Sequence, residues 1–488
     1  MPMPVFTPMP PAGKILYGSL QWKCLQFLAS FFLNVVIART FRSAITAEFY
    51  YLVYWLSLCI TLFTMGLDIS ISYFLPRNAI SPVAAGRLIL AAVGLALLVC
   101  LPLLALLYRP AQFPDLDRSR ILVFSALQIT GGLLTALSGT LFTAYGRNDL
   151  PSKIACILNL ALVIGFSITA RIQAGTQLVH GLFGAWFLGS FVQGLFLFIL
   201  ADRRYGILRT RPTPVVKDAS GSFPTPPAAN AASGSFPTFA AADAPSARPS
   251  GSHIPLRDIL RFSITAFLIN FIFFLASRLS LYLIPFRLGP TGQGNYIQAY
   301  KLVEYMGLLM SFLYYPVIVL VAGTDIEKMK QYILFLVRLS NTVVLLFSIA
   351  ILSLGWWAFP AIFGPSFGRV YGIFTGFIPG LFAVCSSGFF TAWYFGSGHI
   401  KYNGISAGIQ WIAMLAGFFI FPAPRGTALA FSLASLLSLG YDLLVFRRFL
   451  RWSPGDILFV RRSDLGTIRH FLRRLPGAAF LQRQQGQV

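Results

Sequence analysis

Long apolar runs cut by short polar breaks dominate the chain. Twelve runs can each cross a bilayer as a helix: 15–38, 47–75, 87–108, 121–145, 153–172, 178–201, 258–286, 295–322, 331–358, 370–395, 403–422 and 426–446. About 20 residues rising 1.5 Å each match a hydrocarbon core of about 30 Å. The pattern predicts an all-α integral membrane protein of about 12 transmembrane helices. It lapses between the sixth and seventh runs, where Ser220-Gly-Ser-Phe-Pro-Thr225 recurs as Ser233-Gly-Ser-Phe-Pro-Thr238 among Ala and Pro. Such a composition buries too little apolar surface to offset its ordering entropy. The expected organisation is a segment 1–14, an N-lobe 15–201, a disordered linker 202–257, a C-lobe 258–446 and a basic tail 447–488.

The two sets of six spans look alike. Tyr50-x3-Tyr54 opens span 2 and Tyr296-x3-Tyr300 opens span 8, while Gly165-Phe166 in span 5 is echoed by Gly417-Phe418 in span 11. Chance likeness between apolar helices competes with a true repeat. A repeat of six spans relates the halves by an axis along the membrane normal and places a substrate site at their interface. That arrangement is two pseudo-symmetric six-helix lobes around a central cavity.

Polar residues at helical spacing mark spans 1, 2, 7 and 8. Span 1 carries Ser19, Lys23, Gln26, Ser30 and Asn34; span 2 carries Tyr50, Tyr54, Ser57, Thr61, Thr64, Asp68 and Ser72. Span 7 carries Ser263, Asn270, Ser277 and Arg278; span 8 carries Tyr300, Lys301, Glu304, Ser311 and Tyr314. Small polar residues can merely join helices. A charge at mid-membrane costs roughly 2.5–3.5 kcal/mol on insertion scales, and helix packing needs none. Arg278, Lys301 and Glu304 fall at a similar depth and can share one polar space. Lys301 and Glu304, three apart, can also pair on their own helix, which leaves Arg278 without a partner. Three basic groups (Lys23, Arg278, Lys301) against two acidic ones (Asp68, Glu304) favour an anionic cargo. Arg338 is expected to snorkel to the interface, and Asp442 lies near the membrane edge. Pro285, Pro316 and Pro379 interrupt spans 7, 8 and 10 and can bend them.

Composition narrows the class. Of 488 residues 56% are hydrophobic and 11% charged, well below the roughly 25% charged residues of soluble domains. The net charge of +23 suits contact with anionic membrane lipids better than nucleic acid, which is not an expected partner. Twenty-four basic residues fall in the set of loops that includes both termini and the linker, against nine in the other set. The positive-inside bias therefore puts both termini in the cytoplasm, although the excess rests on the linker and tail. Residues 461–475 of the tail fit either an amphipathic helix on anionic head groups or a solvated basic tail. The five cysteines lie singly in apolar runs, so no disulfide, metal or cofactor is expected. The Pro-rich start lacks a signal-peptide cleavage pattern.

The passage Ser277-Arg-Leu-Ser-Leu-Tyr-Leu-Ile284, followed by Gly294-Asn-Tyr-Ile-Gln-Ala-Tyr300 and a helix reaching Tyr315-Pro316, resembles Wzx-type polysaccharide flippases. These belong to the multidrug/oligosaccharidyl-lipid/polysaccharide (MOP) exporter superfamily. The segment Ile362-Phe-Gly-Pro-Ser-Phe-Gly-Arg-Val-Tyr371 and the stretch from Gly66 to Arg77 fit the same pattern. The resemblance implies a MATE-like V of two lobes in the bacterial inner membrane. It further implies alternating-access transfer of undecaprenyl-pyrophosphate-linked oligosaccharide repeat units for O-antigen, capsule or exopolysaccharide. Basic cavity residues then hold the pyrophosphate and sugar: Lys23, Arg278 and Lys301, with Asn34, Asn270 and Tyr300 beside them. Asp68 and Glu304 are its candidates for H+ or Na+ coupling or for ion pairs, and a polysaccharide polymerase and chain-length machinery are its implied partners. Ser280 stands where such proteins often carry an acid just after the span 7 Arg, which counts against ion coupling there. Twelve spans rather than fourteen argue against the MurJ-like branch.

Two other functions compete. A multidrug and toxin extrusion exporter of cationic drugs calls for an acidic cavity, whereas the surplus here is basic. A membrane polymerase or glycosyltransferase calls for ordered loops bearing carboxylates or His, and no nucleotide loop, metal-ligand spacing or catalytic triad is apparent.

Overall fold

The computed structural model describes residues 12–75, 80–107, 116–145, 147, 149–172, 175–208, 256–321, 326–397, 399–421, 424–449, 452–461, 464 and 466. Most of the expected linker and most of residues 461–475 lie outside the described residues, as do the side chains of Ser19, Asn270, Ser311, Tyr314 and Pro316. The described chain is helical throughout: α1 (Ala12–Thr64), α2 (Leu67–Phe74), α3 (Pro82–Leu107), α4 (Arg118–Ala144), α5 (Asp149–Ile172), α6 (Gly175–Tyr205), α7 (Leu256–Leu283), α8 (Pro290–Val321), α9 (Ile326–Phe363), α10 (Val370–Gly396), α11 (Ile400–Ile420) and α12 (Pro424–Phe449). Among the described residues nine helices are long and apolar enough to span a membrane, and Phe274–Phe286 is a shorter apolar piece. This is a multi-pass membrane fold.

α1 is two crossings. Arg42 leaves the helical region at φ 57°, ψ 175°, and the chain reverses there. Eight residues to either side, the Tyr50 hydroxyl donates to Asn34 Oδ1 at 2.6 Å; in a straight helix those residues would stand about 24 Å apart along the axis. The loop expected at 39–46 is thus a single non-helical residue. The break expected between spans 7 and 8, at 287–294, shortens too, because Pro290 already begins α8, a position that has no use for an amide N–H. Pro285 ends α7 in a single 3-10 turn instead of bending it.

Helix pairings in the first half recur in the second. α5 lies on the first limb of α1, where Asn159 Nδ2 donates to Ser30 Oγ at 2.9 Å; α7 and α11 pair likewise. α4 lies on the second limb, with Ile60 over Gly132, as α10 lies on α8. α4 crosses α6 through Gly131 and Gly194, where a Cβ on either would fall on the other helix's backbone. α10 crosses α12 at the equivalent place through Gly376, Gly380 and Ser432. There Ser432 Oγ accepts from Gly380 N at 2.9 Å and donates to Gly376 O at 2.6 Å. The Ser432 hydroxyl is thus set into the α10 ladder next to Pro379.

Past α12, residues 452–461 and Asp464 lie over α9. Arg338 does not snorkel as expected: it is buried, and Nε and Nη2 both donate to the Asp464 carboxylate at 2.8 Å. Its Nη1 donates to the Asp456 carbonyl at 2.8 Å. A guanidinium fork matched to a carboxylate can be covered where a lone cation must seek water. Asp442 is also buried, with Tyr394 Oη donating to its Oδ1 at 3.3 Å, so it faces the interior of the C-terminal half.

Candidate functional site

Opposite limbs of the two halves meet at mid-depth around one carboxylate. Glu304 stands near the middle of α8, its Oε1 3.3 Å from Arg278 Nη2 of α7 and its Oε2 3.9 Å from Lys301 Nζ one turn back. The Tyr54 hydroxyl, from the second limb of α1, donates to the same Oε2 at 3.3 Å. Arg278 therefore has a partner, unlike in the alternative where Lys301 and Glu304 pair alone, and Glu304 is shared between two cations. Both distances are long for charge-assisted hydrogen bonds. The side chains keep 29% (Arg278), 15% (Lys301) and 24% (Glu304) of their surface, so the cluster is not sealed inside the bundle.

Tyrosines hold the cations in place. Lys301 Nζ lies 4.1 Å above the Tyr50 ring and 5.7 Å from that of Tyr54, and Arg278 Cζ lies 4.8 Å from the Phe274 ring. Cation–π contacts of this kind favour the charged form without neutralising it. Tyr282 Oη donates to the Tyr54 carbonyl at 3.0 Å, and Tyr305 Oη to the Ser30 carbonyl at 3.3 Å; both tie one half to the other. Asn34 joins through Tyr50, and its Nδ2 is buried without a hydrogen-bond partner among the described residues.

Other expected residues stand apart. Tyr300 turns into the second lobe, where its hydroxyl bonds the Ser277 carbonyl and its ring meets Phe377 and Phe431. It braces the backbone next to Arg278. Lys23 is eleven residues from Asn34, about 16 Å along the helix. Asp68 opens α2 beyond the break at Met65 and Gly66, about 20 Å along the limb from Tyr54. Neither is part of the cluster. Ser57, Thr61 and Thr64 donate to carbonyls of their own helix, and Ser70 bonds Ser263 at 2.5 Å between helices. The first three satisfy their hydroxyls within one helix, while Ser263 of the span 7 stripe joins two helices through Ser70.

A second interlobe set closes the end of the bundle opposite the chain termini, and the sequence did not reveal it. Arg39 Nε donates to the Ile362 carbonyl at 2.8 Å and Nη2 to that of Ala361. Ser43 N donates to Ser366 Oγ at 3.1 Å. Within the second lobe, Asn295 donates to the Ser366 carbonyl at 3.0 Å and accepts from Arg369 N at 3.2 Å, which steadies the segment that Ser43 meets. Gly294 abuts the Ser43 carbonyl so closely that a Cβ there would overlap it.

No family model matches the sequence, and no curated protein matches it. Solved structures share its fold. One is a multidrug resistance MATE family transporter of the MOP superfamily in an inward-facing conformation, with TM-score 0.61 and 12% identity over 89% of this chain and 98% of that one. Another is a MOP superfamily transporter from Pyrococcus furiosus, described as having a binding pocket of reverse polarity that suggests a different function; its TM-score is 0.61 and its identity 11% over 90% and 95%. A third is the lipid II flippase MurJ in an inward closed conformation, with TM-score 0.59 and 12% identity over 91% and 89%. At these identities the likeness establishes the fold.

Proposed function

We propose that the protein is a flippase for an oligosaccharide carried on a polyprenyl diphosphate, the undecaprenyl-pyrophosphate-linked class used for O-antigen, capsule or exopolysaccharide. One observation carries the reading: Arg278 and Lys301 share the single carboxylate of Glu304 where the lobes meet. Glu304 holds the cations in the membrane while no substrate is present. A diphosphate brings more negative charge and more acceptor oxygens, and it takes the carboxylate's place on the guanidinium fork. The Tyr54 hydroxyl, released from Glu304, and the Asn34 amide then face the phosphate and its first sugar.

Alternating access follows from the same contacts. Substrate enters from the end that carries the termini, which we place in the cytoplasm of a bacterium. The set around Arg39, Ser43 and Ser366 must part before substrate leaves at the other end. The shared fold with a lipid II flippase supports a lipid-linked cargo. A drug exporter is disfavoured because the one acid in the cluster already faces two cations, which leaves no anionic seat for a cationic drug.

Export in a bacterial strain lacking its own lipid-linked oligosaccharide flippase tests the proposal. Wild type restores surface polysaccharide, whereas Arg278→Ala and Lys301→Ala insert normally and do not. Full restoration by both variants rejects the site.

A further inference from the structure

Away from the cluster, the second lobe holds a half-open recess of about 190 Å³ at the end that carries the chain termini. Val337 of α9, Phe382 and Phe390 of α10, and Leu439 and Leu443 of α12 form its walls, and Phe459 of the returning tail helps roof it. Asn341 and Ser386 also border it, but their polar groups are engaged. Ser386 Oγ donates to Asn341 Oδ1 at 2.9 Å, and Asn341 Nδ2 donates to the Ile457 carbonyl at 2.8 Å. The walls therefore suit a hydrocarbon occupant.

The roof is held firmly while the tail still leaves the space unfilled. Besides the Arg338 and Asp464 pair, Val460 N donates to Thr342 Oγ1 at 3.1 Å. Leu458 and Phe459 nevertheless remain 55% and 42% exposed, an apolar lip open to acyl chains. Arg447 stands one turn beyond Leu443 on the same face of α12, and Arg447 and Arg448 are exposed. A dry recess in a membrane-spanning segment, edged by exposed cations at its watery end, complements a lipid whose head is anionic. A helix about 10 Å across would not enter a recess of this size.

We propose that this cavity binds one acyl chain of an anionic phospholipid, with the headgroup phosphate on Arg447 and Arg448. The site concerns a resident lipid and stands whether or not the diphosphate reading holds.

Native mass spectrometry of the full-length protein in mixed micelles, with phosphatidylglycerol and phosphatidylcholine of equal chain length, tests it. Wild type should retain phosphatidylglycerol about tenfold more than phosphatidylcholine. Leu443→Trp, which puts an indole into the recess without filling it, should retain less of both lipids than wild type. Arg447→Gln with Arg448→Gln leaves the walls intact, so it should retain both lipids equally. Glycerol phosphate, a headgroup without chains, should not compete. Equal retention of the two lipids by wild type, undiminished preference in the double arginine variant, or competition by glycerol phosphate overturns the proposal. If Leu443→Trp does not fold, the double variant and the competition arm decide it.

Discussion

Replacing Glu304 with Gln should tighten the binding of an anionic ligand, although it removes a charged group from the site. The carboxylate lies 3.3 Å from Arg278 and 3.9 Å from Lys301. Two unit charges about 4 Å apart interact by about 4 kcal/mol at an effective dielectric of 20. Desolvation and the remaining exposure of about a quarter of the side chain reduce that, and a charge-assisted hydrogen bond nets about 1.5–3 kcal/mol. A diphosphate must break such a contact in the wild type. The amide withdraws about 1.5 kcal/mol of that competition, close to a tenfold lower Kd. Arg278→Ala removes a direct partner of the phosphate and should raise Kd about 10- to 100-fold. Titration calorimetry of a short polyprenyl diphosphate into lipid nanodiscs reads both changes. The opposite signs are the test. If Glu304→Gln weakens binding and Arg278→Ala leaves it unchanged or tighter, the carboxylate is the recognition group and the reasoning fails.

Three more outcomes follow from contacts outside the cluster. Arg39→Ala removes two donors from the end opposite the termini, worth about 1–3 kcal/mol, so spin-label distances between residues 43 and 366 should lengthen or broaden; an unchanged distribution denies the contact a gating role. Gly294→Ala forces α8 away from the Ser43 carbonyl and should cost about 1–3 kcal/mol through overpacking, seen as a lower thermal midpoint in detergent. Asp464→Asn strands a buried guanidinium, a loss of about 3–5 kcal/mol, and should expose the tail after Trp452 to protease. Burial alone raises the Asp464 carboxyl, but the hydrogen bond and charge of Arg338, with the Arg461 amide and charge, carry it below its ordinary value. A depressed value means that docking is full above the ordinary carboxylate pKa of about 3.9 and fades as pH falls through the lower one. Tail-to-α9 distances should hold through mild acid, and the Asn variant should show no such pH dependence.

Periodicity and length made the membrane helices legible in the sequence, because about 20 apolar residues have few other uses. The depth of Arg278, Lys301 and Glu304 followed from the rise per residue, and the structure brings the three together. The pairing itself was not legible, because which partner a long side chain reaches depends on the rotation of α7 against α8. In the sequence Tyr50 and Tyr54 mark both a repeat and the polar stripe of span 2; their place beside the cations needed the α1 hairpin. The Arg39 contacts could not be foreseen, since they run to backbone carbonyls at Ala361 and Ile362, and a carbonyl leaves no signature in sequence. Arg338 misled for a related reason: its partner lies 126 positions away in a tail that composition marks only as basic.

Leaflet exchange in proteoliposomes tests the central claim most directly. A fluorescent sugar on a short polyprenyl diphosphate is placed in both leaflets, and a membrane-impermeant quencher reports the fraction that exchanges. With wild type, nearly all label should become accessible, against about half in protein-free vesicles. With Arg278→Ala combined with Lys301→Ala, exchange should fall to the protein-free level while the protein remains folded. Exchange by the double variant at the wild-type rate would contradict the account.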